Sequence, residues 1–385
     1  MALQMILARN LNFLQVFNFN WSISQMKKTL LALAVMGASG VAFAASNVTL
    51  YGVIDTSVVF THDGGAKDAK NVVDMQSGFR NGSRWGIKGV EELGNGYAVG
   101  FILEDGFNSD DGSGAQSMNG AFSRESKLYI NGGFGQIGFG RLGSLAGGAQ
   151  SNSILSGWAL GTSYQTQGTL TSFMKNNGRV NNAVAYVSPS FAGLTVHAMY
   201  SNGTKTDTAE WAKNNHYYGL GLAYQLGGYR NTLIFESADN KGGNGETAYN
   251  VNLGLGYNLG AITPQFAYQY AWQDTQYKQH VFGLSAAAPV AGGTVKAGVK
   301  YLLGKNETDA FKAATGEDKY RSLSISAAYE YPLSKRTTVW GFASWADGDK
   351  GYSSDNLKNL KASGDSLKTA NFDGYVFSVG MTHNF

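Results

Sequence analysis

Cysteine is absent from this 385-residue chain. Disulfides are therefore excluded, and an exported chain of this kind has to be stable through its own hydrogen bonding. Proline is nearly absent too, with 4 residues against 52 glycines, and charged residues make up only 15%. Beyond residue 44 no stretch approaches the ~20 consecutive apolar residues that a membrane helix needs. What the chain does have is 21 tyrosines and 21 phenylalanines beside its glycines. That balance is unusual for a globular enzyme. Short strands, tight turns and aromatic girdles produce it.

The N-terminus carries a secretion signal. Met26-Lys27-Lys28-Thr29 is a basic start, Leu30 to Val35 begins an apolar core, and Ala42-Phe43-Ala44 is a small-x-small cleavage site. Residues 26–44 are read as the signal peptide, residues 1–25 as an over-extended start or an extension of the signal, and 45–385 as the mature domain. Cleavage removes Arg9, Lys27 and Lys28 from the 30 basic residues and leaves 27 against 27 acidic ones. The basic pI of the full chain is therefore no argument for a nucleic-acid partner.

Two-residue periodicity dominates the mature chain. At the C-terminus Tyr375, Phe377, Val379, Met381 and Phe385 share one face, with His383 the one polar member. That is a strand with one greasy and one wet side. A soluble domain seldom ends on such a flat apolar edge, because the edge invites aggregation. A strand that closes a barrel in lipid has no free edge. Sixteen strand-like segments are expected, near 47–60, 83–92, 96–106, 123–132, 135–142, 179–188, 193–201, 216–226, 229–238, 247–259, 261–273, 279–289, 293–303, 320–332, 335–346 and 373–385. Short Gly- or Pro-bearing turns such as Leu93-Gly94-Asn95-Gly96 alternate with long polar loops, at 61–82, 107–122, 143–178, 202–215, 239–246, 304–319 and 347–372. The predicted fold is all-β, a 16-stranded antiparallel transmembrane barrel in up-and-down order, long loops outside.

The strand faces set the orientation. Tyr249, Val251, Leu253, Leu255 and Tyr257 oppose Asn250, Asn252, Gly254, Gly256 and Asn258. Leu323, Ile325, Ala327, Tyr329 and Tyr331 oppose Ser322, Ser324, Ser326, Ala328 and Glu330. The polar rows are almost uncharged, whereas a soluble surface carries more charge. With an export signal, the apolar rows are assigned to lipid and the small polar rows to a water-filled lumen.

The stretch Ser83-Arg84-Trp85-Gly86-Ile87-Lys88-Gly89-Val90-Glu91-Glu92-Leu93-Gly94-Asn95-Gly96-Tyr97 is the most specific internal signal. Together with Val48-Thr49-Leu50-Tyr51-Gly52-Val53-Ile54-Asp55, Gly138-Phe139-Gly140-Arg141, Arg179-Val180-Asn181-Asn182-Ala183-Val184-Ala185-Tyr186 and the terminal Met381-Thr382-His383-Asn384-Phe385, it resembles the trimeric general porins of Gram-negative bacteria, closest to those of beta-proteobacteria and neisseriae. The resemblance covers the mature chain in order. It implies sixteen strands, a homotrimer in the outer membrane among lipid and lipopolysaccharide, and a third loop folded inward to constrict each channel. It also implies passage of small solutes and ions, and an assembly signal at Phe385 read by the barrel-assembly machinery. No cofactor and no metal are expected.

The resemblance also places the basic eyelet cluster on Arg84, Arg141 and Arg179, with Lys88 one step along the same row. Alternation agrees for Arg84 and Lys88, and for Arg179 with Val180, Val184 and Tyr186 opposite. For Arg141 it does not, since Arg141 shares a row with Ile137 and Phe139; a bulge would be needed to turn it inward. The competing reading of each arginine is a strand-end residue bonded to lipid phosphate. Residues 142–178 contain no Asp or Glu, and their only charge is Lys175, among Ser, Asn, Gln and Thr around Trp158 and Tyr164. Cations at a narrow point, unopposed, concentrate anions. An anion-preferring channel is expected, blunted by Asp55 and Glu104, which fall on lumen rows.

Rival functions have less support. His62, His197, His216, His280 and His383 stand in no recognisable catalytic or metal-binding setting. A filled structural or adhesin barrel would need bulky paired charges inside. A substrate-specific porin, the nearest rival, would need an aromatic track that the sequence does not reveal.

Overall fold

The computed structural model describes residues 48–64, 70–114, 120–165, 168–203, 211–241, 245–348 and 372–385. The expected signal peptide and start at 1–44 lie outside the described residues. The wall begins with β1 (Thr49–Asp63), β2 (Lys70–Ser77), β3 (Arg84–Gly94), β4 (Tyr97–Gly106), β5 (Glu125–Gly132), β6 (Gly135–Gly143), β7 (Arg179–Val187) and β8 (Leu194–Ser201). It continues with β9 (Tyr217–Leu226), β10 (Tyr229–Ala238), β11 (Ala248–Gly256), β12 (Thr263–Gln273), β13 (Tyr277–Val290), β14 (Gly293–Asn306), β15 (Lys319–Pro332), β16 (Thr337–Gly348) and β17 (Gly374–Asn384).

Successive strands from β3 to β17 pair antiparallel, and β17 returns to β1 from Val53↔Asn384 to Asp63↔Gly374, which closes the sheet. Closure gives the β1–β17 seam a partner on each side, as a strand in lipid requires. Seventeen segments make sixteen wall strands, because β2 and β3 share one position. β2 pairs the upper part of β1, from Thr56↔Ser77 to Asp63↔Lys70, and β3 the lower part, from Thr49↔Lys88 to Val53↔Arg84. The expected loop 61–82 is therefore largely strand. Lys70, Asn71, Asp74 and Gln76 hid it, since they outweigh Val72, Val73 and Met75 in a sequence window. Among the described residues of this stretch, 78–83 leave the wall, starting at Gly78 with φ +67°.

The loop 304–319 also holds an unexpected helix, α1 (Asp309–Thr315). The Thr308 side chain caps it by accepting from the Phe311 amide at 3.3 Å, and Gly316 ends it in the left-handed region. The turn at Asn95-Gly96 has two positive φ values, 53° and 80°, the type I′ geometry that matches strand twist.

Side-chain orientation follows the predicted parity. Leu284, Phe377 and Val379 are more than half exposed on the outer face, while Asn252, Gln269 and Ser324 on the opposite rows are at most 1% exposed. Rings lie over glycines of neighbouring strands, as Tyr320 does over Gly304 and Tyr129 over Gly100. That pairing fills the gap a glycine leaves in a sheet and accounts for the joint excess of glycine and tyrosine.

Candidate functional site

Arg84 opens β3, and Lys88 follows on its row two repeats further along, with Gly86 between them. The register Gly86↔Glu104 sets the β4 carboxylate between them. Glu104 receives Arg84 Nε at 3.4 Å, Arg124 Nε at 2.9 Å and the Tyr51 hydroxyl at 3.0 Å. Arg84 Nη1 also donates to the Gly82 carbonyl at 2.9 Å, and Lys88 Nζ lies 5.1 Å from the Tyr51 ring centre. Arg179 Nε donates to the Arg124 carbonyl at 3.0 Å. Three guanidinium groups thus gather around Glu104 and Glu125, which stands opposite it on β5 within electrostatic range of Arg179, and the cations outnumber these two carboxylates.

Alternation alone misjudges one of the expected arginines, Arg179, while Arg141 keeps the row that alternation gives it, opposite Ser126. β7 bulges at Asn181-Asn182, opposite Arg141, as the pairing moves from Gly140↔Ala183 to Leu142↔Val180. The bulge reverses parity below it. Val180 turns inward and is fully buried beside Leu142 and Leu145, so the parity argument for Arg179 fails. Arg179 joins the cluster because it stands at the strand end. Arg141 bonds the Ser123 carbonyl and Asn181 rather than a carboxylate, and lies within electrostatic range of Arg179.

Asp55 lies within electrostatic range of Arg84, but its own hydrogen bonds go elsewhere. Its carboxylate accepts from the Arg80 amide at 3.0 Å and from Thr382 Oγ1 at 2.5 Å, and the side chain is buried. It anchors the inward excursion 78–83. From that excursion Arg80 reaches across to β15, donating Nε and Nη2 to Glu330 at 3.2 and 2.8 Å, and Nη1 to Thr382 at 3.2 Å. Lys296 Nζ donates to the same carboxylate at 2.8 Å.

The segment 144–178 hydrogen-bonds to side chains of the inward rows. The Ala146 amide donates to Glu236 at 2.8 Å, and the Ala159 amide to Ser285 at 2.9 Å. Gln279 donates to the Phe173 carbonyl at 2.9 Å. Lys175 exchanges two backbone bonds with the Gln269 amide, each 2.8 Å, and its Nζ lies 4.6 Å from the Tyr277 ring centre. Trp158 is buried over Gly283 and Gly298, with Nε1 donating to the Gly168 carbonyl at 2.9 Å. Tyr164 is fully buried, stacked on Phe342 at 4.8 Å, and donates to Glu330 at 2.9 Å. Burial, and then the neighbouring carboxylate, push its phenol pKa up, so it stays a donor. These two aromatics fasten the segment to the wall instead of bordering an opening. Phe79, Trp340, Phe342 and Tyr164 pack on one another, so they form a core rather than an aromatic track.

Sequence reasoning missed Arg80, Arg124, Lys127, Lys296, Lys300 and Glu330. Lys296, Lys300 and Glu330 were legible as inward members of alternating strands. Lys300 is fully buried, donating to the Thr169 carbonyl at 2.5 Å and Ser172 Oγ at 2.8 Å. Arg80 and Arg124 lie outside the strands, where parity says nothing. Among the described residues no group of three or more His, Asp or Glu could hold a metal ion. Hydrogen-bond partners of the histidines include Asn71, Thr195, Tyr268 and Thr337.

A profile described as Gram-negative porin matches residues 29–351. The outer membrane porin protein 32 of Delftia acidovorans is 30% identical over 329 residues, covering 82% of this chain and 88% of that protein. A major outer membrane protein P.IB of Neisseria lactamica is 28% identical, covering 94% and 100%. Among solved structures, an anion-selective porin from Comamonas acidovorans superposes with a TM-score of 0.62 at 25% identity, covering 89% of this chain and all of that one.

Proposed function

The chain belongs to the Gram-negative porin family, and from that premise we propose that its channel favours anions. The protein is an outer-membrane β-barrel channel for passive diffusion of small hydrophilic solutes; family and fold point to a channel rather than an enzyme. The observation that carries the anion preference is the arrangement of Arg84, Arg124 and Arg179 around Glu104 and its cross-strand neighbour Glu125, a cluster in which, with Arg141 beside Arg179, the cations outnumber the acids. The related Comamonas acidovorans porin is itself anion-selective. The segment 144–178, free of acids, constricts the lumen and sets no negative pole against the arginines. Lys88 and Arg141 add to the positive potential at its margin.

The assembly proposed is a homotrimer, as in the family generally, set among outer-membrane lipid and lipopolysaccharide and inserted by the barrel-assembly machinery. Cleavage after Ala44 precedes it.

The test is the reversal potential of purified protein in a planar bilayer under a KCl gradient. The expected sign is that of chloride. A unit charge ~4 Å away is worth ~1 kcal/mol in water. The Arg84→Gln/Arg124→Gln/Arg179→Gln variant should therefore lower the chloride-to-potassium permeability ratio about fivefold or more. Glu104→Gln should raise it. A potassium-signed potential in the unaltered protein would overturn the anion reading.

A further inference from the structure

The segment 144–178 leaves and rejoins the wall at one place. β6 ends at Gly143, which stands opposite Arg179, the first residue of β7. The Ser144 amide donates to the Gly178 carbonyl at 2.8 Å. The chain then turns back over this base at Ala149-Gln150. Gly143 permits the approach, since a Cβ there would lie 2.5 Å from the Ala149 carbonyl and 3.0 Å from the Gln150 side chain. Gln150 itself takes a left-handed backbone, φ +68°. That conformation is unfavourable for a residue with a side chain and persists only where the surroundings hold it.

Arg179 supplies the hold. Arginine has donors and no acceptor, so the Gln150 amide can meet it only with its oxygen. In that orientation Oε1 accepts from Arg179 Nη2 at 2.8 Å and from Nε at 3.0 Å, and the NH2 donates to the Ala149 carbonyl at 2.8 Å. The chemical type of this acceptor has a consequence for charge. A guanidinium withdrawn from water needs acceptors for its N–H groups. A carboxylate would supply them and cancel the charge; an amide oxygen supplies them and leaves the charge in force. Among the described residues, the oxygens bonded to Arg179 are of the second kind, those of the Gln150 side chain and the Arg124 carbonyl. Glu104 and Glu125 are within electrostatic range of it, but so are Arg124 and Arg141.

We propose that Gln150 is a selectivity-determining residue of the channel, a neutral clamp that orients Arg179 toward small anions without neutralising it. The proposal rests on the anion preference argued above and names a position in the segment 144–178 that sets it.

Reversal potentials under a KCl gradient test this with Gln150→Glu, which keeps the side-chain shape and gives up the bond to the Ala149 carbonyl. The chloride-to-potassium permeability ratio should fall about fivefold or more, the effect of one unit charge at contact range in water. Acidification separates contact from proximity. A carboxylate against a guanidinium stays ionised below its ordinary pKa of ~4.3. At pH ~4 the fall should therefore persist in Gln150→Glu relative to the parent. It should shrink in Gln150→Glu/Arg179→Gln relative to Arg179→Gln. Gln150→Gly removes the clamp together with its backbone strain. It should melt no lower than the parent, keep the chloride sign, and carry a noisier current as Arg179 loses its fixed direction. Should Gln150→Glu fail to fold, Gln150→Gly decides alone, and a current as quiet as the parent's would overturn the clamp. A parental ratio in Gln150→Glu, an equal fall in Gln150→Gly, or the same pH response with and without Arg179 would each overturn the proposal. The readings are differences between variants. A potassium-signed parent would overturn the anion preference itself, and the fall or its absence would still decide the role of Gln150.

Discussion

Glu330→Ala is expected to lower the stability of the barrel by about 3–5 kcal/mol and to make its conductance noisy. The carboxylate is the meeting point of Arg80, Lys296 and the Tyr164 hydroxyl, at 2.8 to 2.9 Å for the shortest bond to each. Removing one partner of a buried ion pair costs that much because the remaining charges are left desolvated and unmatched. Two cations lose their counter-charge here at once. The loss is also mechanical. The Tyr164 and Gln165 amides donate to the Arg80 and Phe79 carbonyls at 3.2 and 2.7 Å, so the excursion 78–83 and the segment 144–178 hold each other against β15. With Glu330 gone, both are released on the side of the lumen that the Phe79–Trp340–Phe342 core occupies. Denaturation midpoints in detergent, read together with single-channel current variance, measure the two effects. Arg80→Lys should fall between parent and Glu330→Ala, since a lysine keeps the charge but cannot make the paired Nε and Nη2 contacts. A Glu330→Ala barrel with parental midpoint and quiet conductance would remove this strut from any role in holding the segment.

The barrel was legible because its physics is local. Alternation at period two, turns such as Asn95-Gly96 and a polar row without charge are each written in a dozen consecutive residues. The strands from β3 onward fall within a few residues of expectation for that reason. What was not legible depends on contacts distant in sequence. Arg80 and Glu330 are 250 residues apart, and nothing near Arg80 announces that it crosses to β15. The sign of Arg179's row was misjudged because a bulge of one residue, at Asn181-Asn182, inverts every side chain beyond it. Arg124 escaped notice although it completes the cluster: it falls within the expected strand 123–132, but the strand begins only at Glu125, and the bond to Glu104 is made from the residue just before it. Glu104 was found by parity, but that it is shared between two arginines follows only from its register with β3 on one side and β5 on the other.

The closing seam carries the other large effect. Gly52 and Phe385 exchange backbone bonds of 3.2 and 3.1 Å, the last rung of the β1–β17 junction. The Phe385 ring lies over Gly52 so closely that any Cβ there would clash with the ring and with the Arg84 carbonyl behind it. Gly52→Val is therefore expected to block closure, because the ring can swing away but the backbone of β3 cannot. The folded, heat-modifiable form should be lost both in cells and on refolding into detergent. Phe385→Ala separates packing from recognition. Its ring is 42% exposed, so truncation forfeits about 1 kcal/mol, part of the ~1.5–3 that full burial of such a side chain is worth. Refolding in detergent should then survive nearly intact, while assembly in the outer membrane should fall severely if the barrel-assembly machinery reads this aromatic end. Parallel loss in both settings would make Phe385 a packing element of the seam alone. Normal assembly in cells would end its role as a signal, and would leave Gly52, not Phe385, as the residue on which closure depends.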